Sequence, residues 1–153
     1  MIIVFIEQMA YQGKFRPNNP KKYKGDPTNI VYRSRWESRF MSYLDTHDEV
    51  ISWASEEIVI PYMSPMDGRV HRYFPDFYVK VRQKDGTIKE SIVEIKPYQQ
   101  TQEPKANKNR KRYITEVTTY VINRRKWEVA EAYCKARGWD FKLVTERDLG
   151  LTF

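Results

Sequence analysis

The chain has 153 residues and a mass of 18.4 kDa, the size of one domain able to bury its own core. Its 27 Lys and Arg outnumber 20 Asp and Glu, giving +7, and 41% of residues are hydrophobic; this excludes a disordered chain and makes nucleic acid the expected partner. One Cys and two His exclude an internal disulfide and a conventional zinc site, and the longest apolar run, Ile2 to Ile6, is too short to cross a bilayer, so a soluble protein of a reducing compartment, with no membrane partner, is expected.

Residues 10–29 read as an irregular, basic arm. Pro17, Pro20 and Pro27 with Gly13 and Gly25 forbid a long helix or a central strand, and Lys14, Arg16, Lys21, Lys22 and Lys24 make it cationic. Tyr11, Phe15 and Tyr23 are free in this reading to stack or to pack. From Tyr32 to about Thr46, Tyr32, Trp36, Phe40, Tyr43 and Leu44 recur at helical spacing and form one apolar stripe. Ser34-x-x-Glu37 is a capping box at the start of that helix.

Residues 50–62 read as a first strand that contains Glu56 and Glu57, and residues 70–83 as a second. Asp85-Gly86 supplies the chemistry of a tight reversal, and residues 88–97 make a third strand stopped by Pro97. A helix over about 110–121 follows, then a second from an Asn123 cap to Gly138, and residues 139–145 form a last strand before a short tail, Glu146 to Leu149. The expected order is helix, three-strand meander, helix, strand, in an α/β fold.

Charge is uneven along this order. Residues 1–32 carry +3, residues 33–98 carry −1, and residues 99–153 carry +5. An acidic middle between basic flanks suits an enzyme whose acids gather at a metal while its cations gather at phosphates.

The acidic middle contains one constellation with chemical content. Pro75-Asp76 lies in the second strand and Glu94-Ile95-Lys96 near the end of the third, eighteen residues later. The Asp85-Gly86 turn is nearly equidistant from both, so antiparallel pairing sets Asp76 beside Glu94, and alternation puts Lys96 on the face of Glu94. Two adjacent carboxylates repel unless a cation sits between them. A hard divalent ion, Mg²⁺ or Mn²⁺, fits oxygen ligands from Asp76, Glu94 and the Ile95 carbonyl. Such an ion polarises a phosphoryl oxygen and acidifies an attacking water, which Lys96 is placed to orient or deprotonate. Pro75 cannot donate to a ladder, so it marks a bulge or an edge.

Lys105, Lys108, Arg110, Lys111 and Arg112 place five cations in eight residues without an acid, and Arg124, Arg125 and Lys126 extend the track; all are candidates for DNA-backbone contact. Cys134 reads as a small core residue and His71 as a surface histidine.

With these residues in place, the chain resembles the PD-(D/E)XK nuclease superfamily, whose αβββαβ core, a mixed sheet flanked by helices as in restriction endonucleases, has the element order above. The resemblance assigns catalytic roles to Asp76, Glu94 and Lys96. It adds an acid from the first helix, for which Glu37 is the matching position, in competition with its capping role. The stretches GKFRPNNPKKYKGDP, IVYRSRWE, SEEIVIPY, YFPDFYV, VEIKPYQQ, NRRKW and GWDF are similar to the head-completion nucleases of T-even-type tailed phages. Transposon-end nucleases share the Pro-Asp-Phe and Glu-Ile-Lys-Pro elements, so those pieces alone do not separate the two.

The resemblance implies a single nuclease domain over 1–153, with an extended basic arm over 1–29 and the catalytic core over 30–153. It implies an Mg²⁺-dependent endonuclease or exonuclease, with Mn²⁺ as a substitute, acting on packaged double-stranded DNA when filled heads are readied for tails. Its expected partners are portal, neck or other head proteins, in the cytoplasm of the infected host or on the virion. A non-catalytic, DNA-binding head-completion adaptor and a transposon-end nuclease subunit are the rival readings. Met1 to Gln8 is an apolar addition in front of Met9, which leaves either methionine as the start.

Overall fold

Ser34 opens the first helix as the sequence predicts: its backbone is extended and its hydroxyl accepts the Glu37 amide hydrogen bond at 3.1 Å. In the computed structural model, which describes residues 12–148, this is α1, Arg35–Thr46. Ahead of it, β1 (Gly13–Phe15) pairs antiparallel with β2 (Ile30–Tyr32). Expectations that rest on Met1 to Gln8, Tyr11 and Leu149 lie outside the described residues.

The arm between β1 and β2 is irregular, as expected, but it is tied down. The buried Asp45 carboxylate near the end of α1 accepts the backbone amides of Asn18 and Asn19 at 2.8 and 3.0 Å. The Lys22 ammonium donates to the carbonyls of Asp45 and His47, which satisfies groups a helix C-terminus leaves open and suits its dipole. Tyr23 is buried with its ring edge-on to Trp53 at 4.8 Å, and Phe15 packs on the same core. Both aromatics therefore serve the core.

The apolar runs over 50–62 and 70–83 each divide into two strands, which corrects the expected meander. β3 (Val50–Ser55) ends at Glu56, whose φ of 54° is a left-handed backbone that turns the chain off the sheet, so Glu56 and Glu57 belong to the connection. β4 (Ile60–Met63) then pairs with β5 (Val70–Tyr73) as a separate two-stranded ribbon. The chain re-enters the main sheet at Pro75-Asp76, in front of β6 (Phe77–Arg82). Pro75 thus stands at a break between strands, where its missing N–H costs no ladder bond.

β7 (Ile88–Ile95) returns antiparallel to β6 through the Asp85-Gly86 turn, and β8 (Asp140–Val144) adds parallel to β7. The four-stranded sheet runs β3-β6-β7-β8. With the ribbon and the β1-β2 pair set aside, the order is αβββαβ, a mixed sheet with helices on both faces.

One face of the sheet, with Phe77, Val79, Val93 and Ile95, packs on Met41 and Leu44 of α1 and on Tyr23 of the arm. A register shift between Val50 and Ser52 lets both Val50 and Trp53 reach this core, which strict alternation would forbid. The other face, with Ile92, packs on Ala130 and Cys134 and on the ribbon residues Ile60, Tyr62 and Tyr73.

The two expected C-terminal helices are one. α2 runs Arg110–Arg137, 28 residues, capped by the Asn109 side chain on the Arg112 amide at 3.0 Å. No Pro or Gly interrupts this span, and Asn123, the expected cap, is buried inside it. A capping residue stops nothing unless the backbone before it leaves helical geometry. Gly138 does end the helix, at φ 71°, in the left-handed conformation that glycine adopts without strain.

Candidate active site

The register that pairs Phe77 with Val93 brings Asp76 opposite Glu94 one step further along. Val93 and Ile95 face α1, so Glu94 and Asp76 face the other side, toward α2 and the ribbon. Each carboxylate is fixed by the opposite strand. The Asp76 amide donates to Glu94 Oε2 at 3.2 Å, and the Ile95 amide donates to Asp76 Oδ2 at 2.8 Å. Tyr73, at the end of the ribbon, donates its phenol to Glu94 Oε2 at 2.8 Å. Lys96 Nζ stands 4.0 Å from Glu94 Oε1.

The electrostatics match this crowding. Desolvation, then the charges of Glu94 and Glu37, hold the Asp76 carboxyl well above the usual range, and neither the Ile95 amide nor Lys96 brings it back. Glu94 is also raised, by burial first, against the opposing pull of Lys96, Tyr73 and the Asp76 amide. Burial and Glu94 push the Tyr73 phenol far up, so it stays a donor.

Glu37 closes the capping box that the sequence predicts. Its Oε2 accepts the Arg33 amide at 3.1 Å, closing the capping box one residue earlier than the cap itself. The same carboxyl is raised by desolvation first, and then by the charges of Glu56 and Glu94, against the pull of Arg33. Arg33 makes a two-pronged contact with Glu56, at 3.0 and 3.2 Å, and the Glu56 amide donates to the Asp76 carbonyl at 3.1 Å, so this corner is braced from β3 as well.

Among the described residues no three His, Cys, Asp or Glu side chains form a ready-made metal cage. The donor set nonetheless suits a hard cation that takes one or two carboxylates and completes its shell with water and phosphate oxygens. Among the described residues Asp76 Oδ1 accepts no hydrogen bond and Glu94 Oε1 meets only Lys96 as a polar partner, which leaves one oxygen of each carboxylate for a ligand. Amide and carbonyl of a strand residue point to the same neighbour, so the Ile95 carbonyl lies on the Asp76 side. A cation between the carboxylates would also offset the Glu94 charge that helps to raise Asp76.

The cationic candidates separate into two groups. Lys105, Lys108, Arg110, Lys111, Arg112, Arg124 and Arg125 are exposed. Arg112 pairs with Glu116 and Arg125 with Glu128 along α2, exposed pairs that contribute little, and the other five make no ion pair among the described residues. Arg110, Lys111 and Arg112 occupy the first turn of α2, which itself holds no acid. Cations there oppose the helix dipole by about 0.3–1 kcal/mol, so helix stability does not explain their placement. Lys126 is different: it is half-buried, with its ammonium 5.6 Å from the ring centroids of both Tyr62 and Tyr73. Burial lowers its pKa, Lys96 lowers it further, and Glu94 and Asp76 oppose that fall.

Sequence reasoning left Tyr73 and Arg33 out of the site. Reading 70–83 as one strand hid that the chain changes sheets after Tyr73, and nothing in the local pattern marks Arg33. Cys134 is a buried core residue, as expected, and His71 pairs with Asp67 at 2.8 Å on the exposed part of the ribbon.

Residues 47–146 match the family model described as TnsA-like endonuclease N terminal. The chain is 40% identical over 146 residues to the head completion nuclease of Enterobacteria phage T4, a match that covers 92% of this chain and 95% of that protein. No solved structure matches. No helix among the described residues is long and apolar enough to cross a membrane.

Proposed function

The chain belongs to the TnsA-like endonuclease family and is a nuclease, and we propose that it cuts DNA in phage head completion with a divalent cation held by Asp76, Glu94 and the Ile95 carbonyl. The observation that carries this reading is the cross-strand hydrogen bonding of the two carboxylates, Glu94 by the Asp76 amide and Asp76 by the Ile95 amide, with Lys96 beside them. When bound, Mg²⁺, or Mn²⁺ in its place, supplies Lewis-acid polarisation of a phosphoryl oxygen and a more acidic attacking water.

The chain's own residues do the rest. Tyr73 and the Asp76 amide hold the Glu94 carboxylate in one orientation, and the Ile95 amide does the same for Asp76. Lys96 stabilises charge that develops on the phosphate and orients the attacking water. Glu37 adds a third negative charge that raises the demand for a cation. Lys105, Lys108, Arg110, Lys111, Arg112, Arg124 and Arg125 hold the phosphate backbone, and Lys126 stands where this track reaches the acids.

The match to a head completion nuclease along nearly the whole of both chains supports a phage role over a transposon-end role. A complete Asp-Glu-Lys set speaks against a DNA-binding adaptor that no longer cuts. Proteins of the portal and neck are the proposed partners, in the host cytoplasm or on the virion.

The test is cleavage of linear and supercoiled DNA in Mg²⁺ and in chelator, with Asp76→Ala and Lys96→Ala beside the wild type. Metal-dependent cutting of both substrates, lost in both variants, is expected. Equal cutting by wild type and variants would refute the site. Binding without cutting by the wild type would favour the adaptor.

A further inference from the structure

Arg124, Arg125 and Lys126 are adjacent in sequence and opposite in setting. The first two are exposed, whereas Lys126 lies on the inward stripe of α2 with Asn123, Trp127 and Ala130, all of which are buried. An ammonium at such a position gives up hydration, and Lys126 has no carboxylate within ion-pair distance among the described residues to compensate. Its support is the pair of rings at 5.6 Å, Tyr62 and Tyr73.

Those rings also aim it. The hydroxyl of Tyr73 is bonded to Glu94 at 2.8 Å, so one ring carries the candidate ligand at its edge and borders the ammonium with its body. Lys126 and Lys96 feel each other as like charges, and both feel Glu94. Lys96 stands 4.0 Å from Glu94 Oε1, and Lys126 lies 5.6 Å from the centroid of the ring whose hydroxyl holds Glu94 Oε2, so two cations from different elements flank the same carboxylate. Carboxylates brought together call for a cation, and cations so gathered call for an anion. The anion that a nuclease brings to its acids is the phosphodiester to be cut.

We propose that Lys126 is a phosphate-binding residue of the active site, which together with Lys96 grips the non-bridging oxygens of the scissile phosphate, and is not one more member of the exposed DNA track. This rests on the reading of Asp76 and Glu94 as the acids of a nuclease. It assigns α2 a part in catalysis and gives Tyr62 and Tyr73 of the ribbon the task of seating a cation. No proton transfer is required of Lys126: it acts by charge and position.

The test compares Lys126→Met and Lys126→Arg with Lys135→Met, an exposed lysine near the end of the same helix. Single-turnover cleavage at saturating DNA is measured in Mg²⁺, DNA affinity in Ca²⁺ in place of Mg²⁺, and melting temperature without DNA. Lys126→Met is expected to cut about a hundredfold more slowly, to keep affinity within about threefold, and to melt at the wild-type temperature or above, because an apolar chain replaces a poorly hydrated charge. Lys126→Arg recovers part of the rate, and Lys135→Met cuts as the wild type does. Wild-type cutting by Lys126→Met would overturn the inference, as would a loss that follows affinity alone or a loss that merely tracks a fall in melting temperature. A wild type that fails to cut would instead overturn the nuclease reading, and this inference with it.

Discussion

Asp76 and Glu94 sit on the sheet with each carboxylate bonded by the opposite strand's backbone, whereas Lys105, Lys108, Arg110 and Lys111 stand exposed with no ion pair among the described residues. The acids are few, Glu94 buried and Asp76 partly so, and both are held by groups of other elements. The cations are many, hydrated and independent of one another. This difference teaches where a substitution will be absolute and where it will be graded. Chemistry at one bond needs groups held in place before the substrate arrives, and affinity for a polyanion is a sum over exchangeable contacts. Lys126 is the exception that joins the two regions.

The largest expected effect breaks the acid side. Glu94→Ala should lower the cleavage rate by about a thousandfold or more, measured under single-turnover conditions. Glu37→Gln, which keeps an oxygen for the Arg33 amide, should lower it by about tenfold and leave the melting temperature unchanged. Equal losses from the two would mean that Glu37 belongs with the acid pair.

On the cationic side, Lys108→Met, Arg110→Met and Lys111→Met combined should weaken DNA binding progressively. The slope of log K against log salt should fall by about 2.7 if all three meet phosphates. A rate loss at saturating DNA with the slope unchanged would erase the distinction between the two regions.

The acids should also be visible in stability without DNA. In the metal-free folded chain, burial raises the carboxyl groups of Asp76, Glu94 and Glu37 above their unfolded values, with the charges of neighbouring carboxylates adding to the rise at Asp76 and Glu37. Between the unfolded and folded values the folded chain therefore binds more protons, and its stability falls as pH rises through that window, which opens at about pH 4. Urea unfolding in chelator, repeated from acid to neutral pH, should show this decline, and Asp76→Asn should flatten it. The smallest effect is at the cap: Ser34→Ala should cost about 1 kcal/mol of stability, with cleavage reduced only through the looser hold on Glu37.

Much of this was legible in the sequence because a tight turn and strand alternation are local rules. The Asp85-Gly86 reversal, midway between Asp76 and Glu94, predicts their pairing and the shared face without any distant contact. The ribbon was not legible. Residues 50–62 and 70–83 are continuous β-forming runs, and what divides them is a left-handed residue at Glu56 and a change of sheet at Pro75-Asp76, which sends the ribbon onto distant residues of α2. Asn123 misleads for the converse reason, since its capping preference is overruled by burial inside a long helix. The place of Lys126 was hidden with the ribbon, because only the ring faces of Tyr62 and Tyr73 distinguish it from Arg125.

The central claim is that the two carboxylates form one cation site, and Mn²⁺ binding measured by calorimetry, without DNA, on the wild type and on Asp76→Ala tests it most directly. Binding by the wild type, stronger at neutral pH than near pH 5 because the carboxyls must lose their protons, and absent from the variant, is the predicted result. Equal Mn²⁺ binding by wild type and Asp76→Ala would contradict it.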